Sequence, residues 1–410
     1  MRILFIHQNY PGQFGQLAAA LAGRAGLDVY GLGNESNIAL KPQQSYPVFA
    51  YRPRKPAKSS AHHYLHSFEA AIRRGQDVVL ALQTLRQKNI VPDLVIGHPA
   101  WGELLFVKDV FPAAKVITYC EYFYRAEGGD VGFDPEFPAN NDDRFRVRIK
   151  NSTQLHALEQ ADAGISPTEW QRSSYPQREQ QRIEVIHEGL NLQRLGENAD
   201  ASFTLADGRV LTRADQVITF VSRKLEPYRG FHVFMRALPE LQKRLPRAHF
   251  CIAGADGVSY GMPPPAPHEH YRGMLMQEVG SKLDMARIHF TGALPYDRYL
   301  ALMQISRLHI YLSYPFVLSW SMLEAMACGA PVLGSATPPV EEILKEGYNG
   351  HLFDFFNQAA LVEKAAAILG ASPTTVAALT QQARRDMASS FSFEQHSLPK
   401  YLALIERVMQ

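Results

Sequence analysis

Short apolar runs bounded by turn residues recur along the first half of the chain, at residues 2–6, 27–32, 94–96, 115–119, 163–165 and 183–186. Between several of them apolar positions repeat at helical spacing, over residues 13–23, 62–88 and 100–110. Continuous apolar strands alternating with helices predict a parallel sheet covered on both faces. The second half repeats the scheme. Strand patterns fall at 217–221, 249–253, 287–290, 308–312 and 331–334, and helical patterns at 231–244, 296–305, 321–328, 340–345 and 358–369. The fold class expected is therefore α/β, with two doubly wound, Rossmann-like domains facing across a cleft. The polar stretch 193–215 contains the expected boundary, giving domains 1–200 and 201–390. Leu398, Tyr401, Leu402, Leu404, Ile405 and Val408 follow helical spacing. They predict a last helix within 391–410, packed back on the first domain.

Bulk properties narrow the class. A chain of 410 residues is too long for one core. With 46% hydrophobic and 20% charged residues it reads as an ordinary globular protein. A net charge of +2 supplies no global field of the kind a nucleic-acid binder carries. Cys120, Cys251 and Cys328 are an odd, widely spaced set without a CxxC, which argues against a disulfide framework or a zinc site. They read as buried thiols in a reducing compartment. The apolar run at the start is too short for a signal peptide and meets Gln8, Asn9 and Pro11 at once. No run reaches the roughly 18 apolar residues of a membrane span. A cytoplasmic protein is expected.

In open parallel sheets, ligands sit beyond the carboxyl ends of the strands, so polar residues just after each strand pattern are candidates. After the first strand come His7, Gly12 and Gly15. Glycines at such a turn let backbone amides approach a phosphate or sugar, which makes Gly12 and Gly15 candidate donor contacts. The spacing is not G-x-G-x-x-G, so NAD binding is rejected. An ordinary tight turn is the alternative. His98 ends another strand pattern and could orient an acceptor hydroxyl, or could be a loop histidine with a local role. Glu121, Tyr124 and Asp130 lie on an aromatic, acidic loop suited to binding an acceptor sugar, or merely solvated. Arg144, Arg146, Arg148 and Lys150 read as a solvated helix face, or as a contact for an anionic acceptor or lipid surface. Arg52, Arg54, Lys55 and Lys58 carry the same two readings.

The most specific signal lies in the second half. Arg223 and Arg229 follow a strand pattern, and Gly230 and Phe231 then open a helix. Two guanidiniums beside helix amides make a diphosphate clamp that needs no metal, and no DxD motif is present. The alternative is surface ion pairing with Glu226. Further on, Phe316, Leu318, Ser319, Trp320 and Ser321 form a loop entering a helix, and are candidate donor contacts. Serine at a helix start caps it and leaves amides free for phosphate. Glu324 is the one acid on that apolar helix. A buried carboxylate needs a partner, and a ribose diol would serve; the alternative is a structural Arg or a backbone amide.

These motifs resemble those of bacterial family 4 glycosyltransferases of the GT-B fold. The resemblance is carried by the Gly12/Gly15 loop, Gly97-His98, Arg223…Arg229-Gly230, Phe290-Thr-Gly292 and Leu323-Glu324-Ala-Met-Ala-Cys-Gly329-Ala-Pro-Val332. It implies that Arg223 and Arg229 hold the diphosphate, the latter in place of the family's usual lysine. It implies that Glu324 binds the ribose, that Leu294 meets the base through its backbone, and that His98 lies by the donor sugar and acceptor. The family's motif pairs two glutamates separated by seven residues, and here the first is replaced by Phe316. The glutamate it replaces contacts the transferred sugar.

The function expected is a retaining, metal-independent glycosyltransferase. It would move a sugar from a nucleoside-diphosphate sugar to a hydroxyl of a carbohydrate or lipid-linked acceptor. His98, Arg223 and Arg229 would carry catalysis. No cofactor, no metal and no nucleic-acid partner is expected; peripheral contact with the inner face of the membrane is. Two alternatives are a catalytically silent nucleotide-sugar-binding subunit, motivated by Phe316, and a sugar-nucleotide epimerase of related fold. A phosphorylase would need a pyridoxal lysine, for which no convincing site is found.

Overall fold

The computed structural model describes residues 1–54 and 62–410. Lys55 and Lys58 lie outside the described residues. The chain divides into two compact units, Met1–Gly189 with Phe393–Gln410, and Leu190–Ser392.

The first unit is built on seven strands: β1 (Arg2–Ile6), β2 (Asp28–Asn34), β3 (Val48–Tyr51), β4 (Leu94–Gly97), β5 (Lys115–Tyr119), β6 (Ala163–Ser166) and β7 (Ile183–Val185). Their order is β3-β2-β1-β4-β5-β6-β7, and every pairing is parallel. Side chains alternate across the sheet, so β1 feeds two cores. Ile3 and Phe5 join Phe14, Leu17 and Leu21 on one face. Leu4 and Ile6 join Val78, Leu82 and Leu85 of the helix His66–Gln87 on the other. Burial on both faces is why β1 reads as an unbroken apolar run. The helix Leu398–Met409 lays Tyr401, Leu404 and Ile405 into the first of these cores.

The second unit opens with a small antiparallel hairpin, β8 (Ser202–Thr204) and β9 (Val210–Thr212). Its sheet comprises β10 (Gln216–Lys224), β11 (Ala248–Ala255), β12 (Ile288–Gly292), β13 (Leu308–Tyr311), β14 (Val332–Ser335) and β15 (His351–Phe353). The order is β12-β11-β10-β13-β14-β15, again wholly parallel. The helix Phe231–Arg244 covers one face with Phe231, Phe234, Leu238 and Leu241 buried. The apolar helix Trp320–Ala327 is buried from Ser321 to Ala327.

Each sheet reverses its strand order at one point, between β1 and β4 in the first unit and between β10 and β13 in the second. Loops leaving adjacent strands at such a point diverge to opposite faces and leave a crevice at the carboxyl ends. That topology selects the loops after β1 and β4, and those after β10 and β13, as the places to look for a site.

Several elements differ from the sequence reading. The chain passes between units at Gly189 and Leu190 rather than near residue 200, because Leu190 and Leu195 are buried in the core around Leu323 and Met326. Residues 100–106 form turns and only Val107–Val110 is helical; Gly102 at φ +100° breaks the pattern. The helix read at 340–345 is a short one, Pro338–Glu341, and Asn349 caps the turn that follows by accepting from the Lys345 amide at 2.7 Å. The helix Pro373–Phe391 has no clear apolar stripe in the sequence, since its buried positions include Thr380 and Ala383 among few large apolar residues.

Candidate functional site

In the second unit, β10 extends to Lys224, so Arg223 sits on its last residues rather than on the turn beyond. Arg223 is exposed, with no ion pair or hydrogen bond to any described residue. Arg229 differs. It ends the short 3-10 turn Pro227–Arg229, is buried, and donates through Nη1 to Ser313 Oγ at 2.8 Å, the Val317 carbonyl at 2.9 Å and Tyr311 Oη at 3.3 Å. This ties the loop after β10 to the loop after β13. Gly230 makes the turn possible. Its φ is +64°, and a Cβ there would lie 2.3 Å from Leu312 Cβ. Glu226 does not pair with the arginines. It is buried and accepts the amides of Ser259, Tyr260 and Gly261 at 2.9, 3.2 and 3.0 Å.

The loop after β13 ends at Ser319, whose side chain caps the helix Trp320–Ala327 by accepting from the Ser321 amide. The Ser319 amide donates to Tyr311 Oη at 2.8 Å. Tyr311 therefore joins Arg229 to the helix start. Trp320 is 44% exposed at the first helical position, and Ser321 is buried. Phe316 and Leu318 are both buried. Leu318 belongs to the apolar core. Phe316 is 2% exposed and packs against Tyr260 at 4.8 Å and Tyr228 at 5.4 Å between ring centroids. The Arg229 guanidinium lies 5.9 Å from its ring.

Glu324 is buried, and tyrosines hold both of its oxygens. Tyr296 Oη donates to Oε1 at 2.9 Å and Tyr299 Oη to Oε2 at 2.6 Å. Burial raises the carboxyl above its ordinary range; the two tyrosine bonds act the other way. Among the described residues its partners are these neutral tyrosines and not a cation. Each carboxylate oxygen still has acceptor capacity. Leu294 is half-buried and lines a cavity of about 650 Å³ with β12 and the segment Ser202 to Asp207.

In the first unit, the loops after β1 and β4 do meet. Gly12 has φ +52°, and a Cβ there would strike the His7 ring at 2.5 Å. Gly15 instead starts a helix with ordinary φ −55°. The His98 ring lies 5.4 Å from His7 and stacks on Trp101 at 4.4 Å. The Ala100 amide donates to His98 Nδ1 at 3.2 Å. The neutral ring then carries its hydrogen on Nε2, which faces Glu121 Oε2 at 3.3 Å. Gln13 Nε2 holds the other Glu121 oxygen at 2.8 Å. His98 is fully buried, while Glu121 is part-exposed. Gln13 and Trp101 carry no motif of their own in the sequence, yet like His7 they follow strands β1 or β4, where topology places a site.

Tyr124 and Asp130 are not part of this cluster as the structure builds it. Asp130 is buried and accepts the Tyr122 hydroxyl at 3.0 Å, a supporting role within its loop. Tyr124 lies under Lys150, whose Nζ is 3.5 Å from the ring centroid. The three cysteines are free and buried. Among the described residues no helix is long and apolar enough to cross a membrane, and no group of three or more His, Cys, Asp or Glu is arranged to hold a metal ion.

Comparison with known proteins also divides the chain in two. Residues 26–195 match the family model described as glycosyl transferase family 4 group, and residues 206–386 that described as glycosyl transferases group 1. A D-inositol 3-phosphate glycosyltransferase of Mycolicibacterium vanbaalenii is 26% identical over 266 residues, 62% of this chain and 55% of that protein. An uncharacterized glycosyltransferase of Methanocaldococcus jannaschii is 36% identical over 66 residues, 16% of this chain and 17% of that one. The chain spans about half the length of the D-inositol 3-phosphate relative it matches. Among solved structures, Anabaena HepE in complex with UDP and glucose superposes with a TM-score of 0.70 at 17% identity, covering 99% of this chain and 100% of its own. A sucrose-phosphate synthase of Thermosynechococcus elongatus gives 0.72 at 18%, covering 99% and 98%. Both share the two-domain GT-B fold.

Proposed function

From a chain with the GT-B fold, whose two halves each match a glycosyl transferase family model, we propose a glycosyltransferase that uses a nucleoside-diphosphate sugar. The observation that carries this reading is the Arg229 junction. One buried guanidinium bonds Ser313 and the Val317 carbonyl, and Tyr311 carries the link on to the Ser319 amide. Arg223 lies on the last residues of β10, and the helix Trp320–Ala327 begins in the loop that this junction ties down. A diphosphate bound there would meet a guanidinium and helix amides, which stabilise charge as the leaving group departs. That Anabaena HepE was solved with UDP and with UDP-glucose supports the donor class.

On this reading the donor binds to the second unit, and Glu324 accepts ribose hydroxyls beside its two tyrosines. His98, its Nε2–H directed by Glu121 and Gln13, serves the transferring sugar or the acceptor hydroxyl in the first unit. Transfer proceeds with retention and without a metal, the departing phosphate taking the acceptor proton on the same face of the sugar. The test is turnover of a panel of nucleotide sugars with and without a chelator, with the product anomer read by NMR. Transfer that stops on chelation removes metal independence, and an inverted product removes retention. Release of no sugar from any donor, with or without acceptor, favours the second reading, a nucleotide-sugar-binding subunit. Phe316 supports that one, because an aromatic ring fills the place where the family resemblance has a sugar-contacting carboxylate.

A further inference from the structure

A second candidate site lies in the first unit, on the loop carrying Tyr124. A cavity of about 310 Å³ opens there, and its polar rim is cationic: Arg144, Arg148 and Arg178 line it and no acid does. Its floor is apolar, formed by Phe123, Val147, Leu155 and Pro176. The guanidiniums are poorly neutralised. Arg148 is exposed, with no ion pair or hydrogen bond to any described residue. Among the described residues Arg144 pairs only with the exposed Glu127 at 3.4 Å, and Arg178 only with its sequence neighbour Glu179 at 3.0 Å. The Arg144–Glu127 pair is solvent-exposed, and such pairs are worth little and yield readily to a better anion.

The walls are held together before any ligand arrives. Asn151, 3% exposed, accepts the Tyr124 amide at 3.0 Å and donates to the Tyr124 carbonyl at 2.8 Å. This pair of hydrogen bonds locks the Tyr124 loop against the end of the helix Asn141–Lys150. Arg125 Nε donates to the Ser174 carbonyl at 2.9 Å, which fixes the segment leading to Pro176 and Arg178. Arg144 and Arg148 stand one helical turn apart and so point the same way. Three cations with planar, forked donors around a preformed hollow suit a tetrahedral oxyanion. The apolar floor adds a place for the carbon skeleton that bears it.

We propose that this cavity is a phosphate-binding site that takes the phosphate group of the acceptor. That the phosphate belongs to the acceptor rests on the transferase reading; the binding itself does not. The phosphate could be carried by a soluble sugar phosphate or by a lipid headgroup. On the latter source, Phe145 is 60% exposed on the same helix, among the arginines.

The test uses the full chain and two probes, glucose 6-phosphate in calorimetry and vesicles of phosphatidylglycerol, against phosphatidylcholine, in sedimentation. The variants are Arg144→Ala with Arg148→Ala, and separately Arg148→Glu. These positions are exposed, so both variants should fold, as a melting curve and unchanged nucleoside-diphosphate affinity would show. The expected result is saturable binding of at least one probe, weakened about tenfold or more in both variants. Binding of the soluble probe alone assigns a sugar phosphate, and binding of the vesicles alone a lipid. No binding of either probe by the unaltered protein, or a loss below about threefold in the folded variants, would overturn the proposal. Phosphate binding without turnover of any nucleotide sugar would leave the cavity assigned and remove the transferase reading.

Discussion

The hydroxyl of Tyr299 donates to Oε2 of Glu324 at 2.6 Å, inside a helix face that is otherwise apolar. Tyr296 holds the other oxygen, so this buried acid is positioned by neutral partners rather than by a cation. Desolvation therefore outweighs the hydrogen bonds and raises its carboxyl above the usual range.

The sign of the resulting pH dependence follows. An acid with a raised folded-state pKa contributes stability below its unfolded value, near 4.5, that is lost as pH rises through the higher folded value. Replacing Glu324 with Gln should remove that slope. Urea denaturation of both proteins at a series of pH values from about 4 to 7 checks this, and parallel curves would show that Glu324 titrates normally. The same variant should weaken ribose-containing ligands more than pyrophosphate.

Arg223 and Arg229 should separate by stability. Arg223→Ala removes an unpaired, exposed cation and should lower nucleoside-diphosphate affinity by about tenfold to a hundredfold at unchanged melting temperature. Arg229→Ala breaks three hydrogen bonds and leaves the Val317 carbonyl unserved, so it should lose affinity and also about 1–3 kcal/mol of stability. Calorimetry and thermal melts on the same samples decide it. Equal melting temperatures for the two variants would mean that Arg229 is not the tie described.

His98→Ala should lower turnover more than it lowers affinity for the nucleotide alone, because its contact is with the reacting sugar or acceptor rather than the diphosphate. Glu121→Gln should retain part of the turnover, since Gln can still accept from His98 Nε2 while losing the charge. Normal turnover per folded molecule in the His98 variant would remove it from the site.

Gly230→Ala should cost about 1–3 kcal/mol of stability and weaken diphosphate binding with it. Its φ of +64° disfavours any side chain, and the new Cβ would press on Leu312. A melting temperature within a degree of the unaltered protein would show that the turn can shift at no cost.

Strands buried on both faces leave runs of consecutive apolar residues, and such runs need no knowledge of neighbours. That is why β1, β5 and the helices Phe231–Arg244 and Tyr296–Ile305 are legible in the sequence to within a residue. The same local logic placed Arg223, Arg229 and Glu324 at strand ends or on an apolar helix. What these side chains meet was settled only by topology. Arg229 bonds Val317, and Glu324 bonds Tyr296 and Tyr299, through strand order and helix packing that bring distant segments together. Leu318 and Phe316 sit in the same loop as Ser319 and read alike in sequence; packing buries the first two and leaves the cap at the surface of the turn. The arginine cavity shows the same division. Sequence supplied the basic run 144–150. Only the fold, by closing the Tyr124 loop and Arg178 around Arg144 and Arg148, turned two of those cations toward a common hollow, because a cavity is a relation among segments that local pattern does not contain.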